Sequence, residues 1–203
     1  MKTGWSLLLL FLLAASPGLA QAPSADAGAC VGGKPDAPVK IEVFSDFQCP
    51  ACRDFYLETM RSVLTDYADP GKVCVVYREF PLKMHQHAVP AARMGHGALR
   101  LGMRHWALVA DALFTRQDTW SKDGKIEAVL SPVLSPEDLA RLKKEAANPD
   151  IETAIAADIA LGQQRGVNST PTFFIIAKGK TEKIVGAIQY PILRRYLDSL
   201  LVP

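Results

Sequence analysis

The chain opens on an unbroken apolar run, Leu7 to Ala15, with Lys2 the only charge among the first twenty residues. The breakers Ser16-Pro17-Gly18 follow. A positive start, a short apolar stretch and small residues after it form the pattern of a secretory signal peptide over residues 1–20. The run is about half of the ~20 residues a membrane-spanning helix needs. Cleavage after Ala20 is favoured over cleavage after Ala22, which would leave Pro23 at the new N-terminus. Residues 21–37 are small, rich in Gly and Pro and without period, a flexible lead-in.

Beyond the lead-in the pattern alternates between two periods. Val39 to Ser45 is β-branched and aromatic, so a strand is expected. Tyr56, Met60, Val63, Leu64 and Tyr67 fall at helical spacing, and Asp69-Pro70-Gly71 ends that helix. Val73 to Phe80 reads as a second strand. Strand, helix and strand with short connections predict a βαβ unit with parallel strands. From Met84 to Arg165 the chain is rich in Ala, Leu and Arg and shows no strand pattern, so four or five short helices are expected there. Ser135-Pro136-Glu137-Asp138 is a helix start, with a Ser cap, Pro in the first turn and acids against the dipole. Gly166 is a suitable stop for the last of these helices. Thr172 to Ala177 and Thr181 to Val185 then read as an antiparallel pair around the turn Lys178-Gly179-Lys180. Ile192, Leu193, Tyr196, Leu197 and Leu200 form the apolar stripe of a closing helix. The predicted class is α/β: one sheet built from residues 38–83 and 166–203, with a helical domain, 84–165, inserted between them.

Composition narrows the function. Hydrophobic residues make up 49% and charged residues 22%, which excludes a disordered chain. The balance of 23 Lys+Arg against 21 Asp+Glu gives no electrostatic case for nucleic acid. Four cysteines, Cys30, Cys49, Cys52 and Cys74, are too few for a disulfide-dense miniprotein but enough for a redox pair, a structural bridge, or both. Export would place them where thiols are not held reduced.

Cys49-Pro50-Ala51-Cys52 sits where strand passes into helix. A helix N-terminus presents unpaired N–H groups and about half a positive charge, so a thiolate there is stabilised. Cys49, at the tip, is the expected attacking and attacked sulfur. Cys52, one turn along and facing inward, is the expected resolving sulfur. Pro50 fits the first turn, where its missing N–H costs nothing. Half a zinc site is the competing reading, but Cys30 and Cys74 do not form a second pair at metal-ligand spacing. No metal is expected.

Asp46-Phe47-Gln48-Cys49-Pro50-Ala51-Cys52, followed by Gly166-Val167-Asn168-Ser169-Thr170-Pro171-Thr172-Phe173-Phe174, resembles the DsbA-like branch of the thioredoxin superfamily over residues 37–202. The helical insertion at this point is also that branch's pattern. The resemblance implies a thioredoxin fold and a thiol–disulfide oxidoreductase whose only redox group is its own cysteine pair. It implies a cis peptide at Thr170–Pro171 facing Cys49, with Pro171 in a loop that meets substrate backbone and Thr170 tuning the thiols. It also implies that an acid on the first strand assists proton transfer at the inner cysteine. Glu42 is the candidate; a surface-pointing Glu near the strand's end is the alternative. Asp46, in the following loop, is expected to be solvated.

The resemblance further implies reduced secreted polypeptides as substrates, a membrane quinone-linked protein that reoxidises the pair, and work in the periplasm or another extracytoplasmic compartment. An oxidase is the favoured direction. Isomerase or reductase work is the alternative, and a Cys/His metal-binding chaperone module is the reading from a different class. Strong oxidants of the family carry His between the cysteines, and Ala51 cannot take its part. Dedicated isomerases carry an N-terminal dimerisation segment, for which residues 21–37 are too short, so a monomer is expected. Cys30 and Cys74 are either bonded or two unpaired thiols. A free exposed thiol is a liability in an oxidising compartment, which favours the bond. His85 and His87 are expected at the surface or at a helix start.

Overall fold

The computed structural model describes Met1 and residues 28–202. The expected signal peptide and most of the lead-in lie outside the described residues. The four strands are β1 (Val39–Ser45), β2 (Val73–Glu79), β3 (Thr172–Ala177) and β4 (Lys180–Val185), and they form one sheet in the order β2-β1-β3-β4. β1 and β2 are parallel, in a register that pairs Val39 with Val73 and Ser45 with Glu79. β3 runs antiparallel to β1, and β4 antiparallel to β3. The first two strands and the last two therefore share a sheet, as the pattern predicts.

Alternation along the strands gives the sheet two different faces. Val39, Ile41 and Val43 join Val73, Val75, Tyr77, Phe173 and Ile175 in the main core, together with Cys49, Cys52, Phe55 and Met60. Phe44, one position out of phase, packs instead with Phe80, Val167 and Phe174 behind the sheet. A helix over residues 50–68 covers the first face. It is α-helical over Pro50–Phe55 and Arg61–Val63, with wider π turns at Tyr56–Met60 and Leu64–Ala68. This differs from the plain α-helix that the spacing predicts.

Between β2 and β3 the described residues form six helices: Ala88–Leu101, Met103–Thr115, Gln117–Asp123, Ile126–Leu130, Pro136–Ala146 and Pro149–Gln164. The apolar pattern predicts four or five. Glycines cut the block more finely: Gly102 (φ 119°) and Gly124 (φ 72°) take left-handed conformations that break the helical run. The start at Ser135 is as predicted, with its hydroxyl accepting from the Asp138 N–H at 3.0 Å. The helix Pro149–Gln164 crosses close behind the sheet at Gly162, where a Cβ would meet the Phe80 ring at 2.6 Å.

The edges of the sheet are managed in two ways. Residues 30–32 lie along the free edge of β2, where the Val31 N–H donates to the Val75 carbonyl and the Val75 N–H to Gly32. The Cys30–Cys74 disulfide fixes this strap. β4, the other edge, is exposed and carries Lys180, Glu182 and Lys183, which discourage pairing with a second chain.

Candidate active site

Cys49 is the cap residue of the helix that begins at Pro50, and its backbone is still extended. Its N–H donates to the Asp46 carbonyl, and its own carbonyl accepts from Arg53 N–H, which starts the helix. Gln117, from the inserted helices, donates to the carbonyls of both Phe47 and Cys49. The loop is thus held from both sides. Cys49 and Cys52 are unbonded to each other here, the reduced form of a dithiol. Cys49 is 7% exposed and Cys52 only 1%. Cys49 is the more accessible of the two but is itself largely covered.

The Thr170–Pro171 peptide is cis. It brings the Thr170 carbonyl to 3.5 Å from the Cys49 sulfur, which donates to it when protonated. The Thr170 hydroxyl is buried with no hydrogen-bond partner of normal geometry. It lies near enough to both sulfurs to favour their thiolates. Pro171 is anchored from the far side, where its carbonyl accepts from Gly186 N–H at 2.8 Å.

Electrostatics divide the pair. The Cys49 thiol is lowered to about 5, first by hydrogen bonding from Cys52, against burial, and then by the Thr170 hydroxyl and the N–H groups of Cys52 and Ala51. The last two are the helix-tip donors the sequence anticipates. Burial and the neighbouring Cys49 push the Cys52 thiol well above its usual value, against a hydrogen bond from Ser45. At neutral pH, Cys49 is thiolate and Cys52 thiol. A nucleophile and leaving group at one position, with a protonated partner one turn away, can exchange a disulfide.

Glu42 is placed elsewhere. It follows Ile41 and precedes Val43, both in the core with the cysteines, so its side chain projects behind the sheet. There it binds Arg78 at 2.7 Å and also Arg165. Burial raises its carboxyl, but the Arg165 and Arg78 guanidinium groups outweigh this and hold it below the usual range. Arg78 also binds Asp158 at 3.0 Å, and the Arg165 guanidinium lies 3.6 Å from the centre of the Phe174 ring. The result is a buried ion network behind the sheet, away from the sulfurs.

Asp46 departs from expectation as well. It is 1% exposed, not solvated. Its carboxylate accepts from the N–H groups of Gln48 and Leu82, and His85 Nδ1 lies 2.7 Å away. Three donors replace the water a loop carboxylate would otherwise need. His87 precedes the helix Ala88–Leu101 as its cap residue. Among the described residues, no group of three His, Cys, Asp or Glu is arranged to hold a metal, and no helix is long and apolar enough to cross a membrane.

The family model described as thioredoxin matches residues 26–198. The chain belongs to the thioredoxin family. Within it, this thioredoxin-family protein is similar to the probable disulfide bond formation protein D of Bacillus cereus, with 26% identity over 70% of this chain and 68% of that one. Among solved structures it is similar to DsbA2 of Pseudomonas aeruginosa, with 25% identity and a TM-score of 0.66, covering 88% of this chain and 96% of that one. It also matches alpha-DsbA1 of Wolbachia pipientis, with 22% identity and a TM-score of 0.69, covering 83% and 88%. The protein is a DsbA-like thiol–disulfide oxidoreductase that carries its redox group in its own cysteines.

Ser45 and Gln117 stand beside the cysteine pair, and Glu79 is the register partner of Ser45; the linear pattern did not single out any of them. Ser45 and Glu79 were within reach of the sequence. Aligning Val39 with Val73 in a parallel pair puts Ser45 and Glu79 at inward positions, where a polar residue in an apolar strand is a signal. Gln117 needed the folded insertion to be seen.

Proposed function

We infer that the protein is an exported oxidase of secreted polypeptides, with Cys49–Cys52 as its redox centre. The carrying observation is the thiol of Cys49, lowered to about 5 at a helix tip beside the Thr170–Pro171 loop. A stabilised thiolate is a good leaving group and stabilises the reduced form, so the oxidised form passes its disulfide on readily.

The reaction balances on the protein's own sulfurs. A substrate thiolate attacks Cys49 Sγ of the oxidised pair. The Cys49–Cys52 bond breaks, and Cys52 leaves as thiolate and takes a proton. A second thiolate of the same substrate then attacks the substrate sulfur of the mixed disulfide, and Cys49 leaves as thiolate. Two electrons pass from the substrate to the enzyme, and the substrate gains one disulfide. The backbone of the Thr170–Pro171 loop is positioned to pair with the substrate chain beside Cys49. A membrane quinone-linked protein reoxidises the dithiol in the extracytoplasmic compartment. Ala51, lacking the charge of a histidine, makes the pair less oxidising than the family's strongest members. The test is oxidation of a reduced, unfolded model protein by the purified oxidised enzyme. The wild type forms substrate disulfides stoichiometrically, and Cys49→Ser forms none. Turnover by Cys49→Ser contradicts the reading.

A further inference from the structure

The inner cysteine needs a proton each time the Cys49–Cys52 bond opens and must lose it each time the bond reforms. Cys52 is almost wholly buried. The strand-one acid that the family resemblance assigns to this exchange faces Arg78 and Arg165 on the other side of the sheet. Another carboxyl lies on the side of the sulfurs.

Ser45 and Glu79 are register partners at the ends of the parallel strands β1 and β2. Both continue the alternation of Val43 and Tyr77, which pack in the same core as Cys49 and Cys52. The Ser45 hydroxyl lies close enough to Cys52 to favour its thiolate. The Tyr77 phenol is within electrostatic reach of both Cys52 and Glu79. Glu79 is 5% exposed, and no salt bridge to it is found among the described residues. Its Oε1 occupies the space left by the missing side chain of Gly95, where a Cβ would stand 2.6 Å away.

We propose that Glu79 is the proton-exchange partner of Cys52, acting through Ser45. When a substrate thiolate breaks the Cys49–Cys52 bond, Glu79 gives up its carboxyl proton, and the departing Cys52 thiolate receives one through the Ser45 hydroxyl. When Cys52 attacks a mixed disulfide on Cys49, the proton returns by the same route and Glu79 becomes the acid again. Electrons move only among the sulfurs. Glu79 touches none of them and is a positioning group for the proton.

The surroundings of Glu79 suit the role. Asp158 faces it from the helix Pro149–Gln164, accepting the Glu79 N–H at 3.0 Å. Asp46 faces it from the loop before Cys49. Burial first, and then these two carboxylates, push the Glu79 carboxyl well above its usual range, which favours its protonated form. Behind Asp158 stand His96 and Arg78, and behind Asp46 stands His85.

The inference rests on Cys49–Cys52 being the redox centre, and the two can fail separately. The experiment measures the rate of reduction of the oxidised protein by glutathione across pH, for the wild type, Glu79→Gln, Glu79→Asp and Cys49→Ser. A Cys49→Ser protein that still exchanges disulfides overturns the redox reading itself. With Cys49→Ser inactive, the inference expects Glu79→Gln to slow reduction by at least about tenfold near neutrality and to lose an inflection from the pH–rate profile, as removal of a general acid does. Glu79→Asp should recover part of the rate. A Glu79→Gln profile that overlays the wild type overturns the proposal. Should Glu79→Gln fail to fold, carboxyl-13C glutamate labelling of the wild type replaces it. The Glu79 carboxyl must then titrate at different pH in oxidised and reduced protein, and identical titration overturns the proposal.

Discussion

The Cys49 sulfur lies 3.5 Å from the Thr170 carbonyl oxygen, across 121 residues of chain. One partner comes from the first helix of the sheet domain and the other from the loop that re-enters the sheet after the whole helical block. The contact forms only when β1 and β3 pair, so the site is assembled by the sheet and not by any local segment. A buried hydroxyl without a settled partner sits in the same loop, ready to donate to whichever sulfur carries charge.

Removing that hydroxyl tests its share. In the wild type the thiolate absorbance should titrate with a midpoint of about 5. Thr170→Val should raise the midpoint by up to about one unit, the worth of one hydrogen bond to a charged group. The reduced form loses stabilisation, and the enzyme becomes a weaker oxidant. An unchanged midpoint would remove Thr170 from the account.

Glu42 should prove structural. Glu42→Gln leaves Arg165 and Arg78 short of a counter-charge in a buried setting, which costs on the order of 3 kcal/mol in denaturant unfolding. The Cys49 midpoint should not move, because the sheet separates the two groups. The folded carboxyl is lowered, so its stabilisation is present above the unfolded value of about 4.3 and is lost as pH falls through the folded value.

Glu79 has the opposite sign. Its folded carboxyl is raised, so its favourable contribution is complete below about pH 4.3 and declines as pH rises toward the folded value. Glu79→Gln does not titrate. Its stability relative to the wild type should therefore increase with pH through that window, by at most about 1.4 kcal/mol per pH unit. Urea unfolding at a series of pH values reads this directly.

The Cys30–Cys74 bond should matter to stability and not to chemistry. It closes a loop of sequence separation 44 and lies behind the sheet with Val76. Replacing both cysteines by Ala should cost about 4 kcal/mol in the chain-entropy model and leave the rate of substrate oxidation unchanged.

Much of this was legible before folding. The two periods of the apolar pattern located all four strands and the inserted helices, because strands and helices must each bury one face. Cys49 and Cys52 were legible because a helix start lowers a thiol wherever it stands. Charges were harder to place. Glu42 and Glu79 are both acids in apolar strands, and which face each takes depends on which set of alternate residues enters the core. A shift of one residue exchanges the faces, so Glu42 reaches Arg78 and Arg165 while Glu79 joins the sulfurs' side. Asp46 appeared to be a loop acid because its partners, Leu82 and His85, lie beyond β2 in the chain. The extra breaks in the helical block follow from Gly102 and Gly124, whose left-handed backbones leave no mark on apolar spacing.

The central claim is that Cys49–Cys52 is an oxidising pair tempered by Ala51. Its most direct measure is the equilibrium reduction potential of the pair against glutathione. The account predicts a value above thioredoxin's ~ −270 mV and below the ~ −120 mV of the strongest oxidants. A value at or below ~ −270 mV would make the protein a reductant and contradict the account.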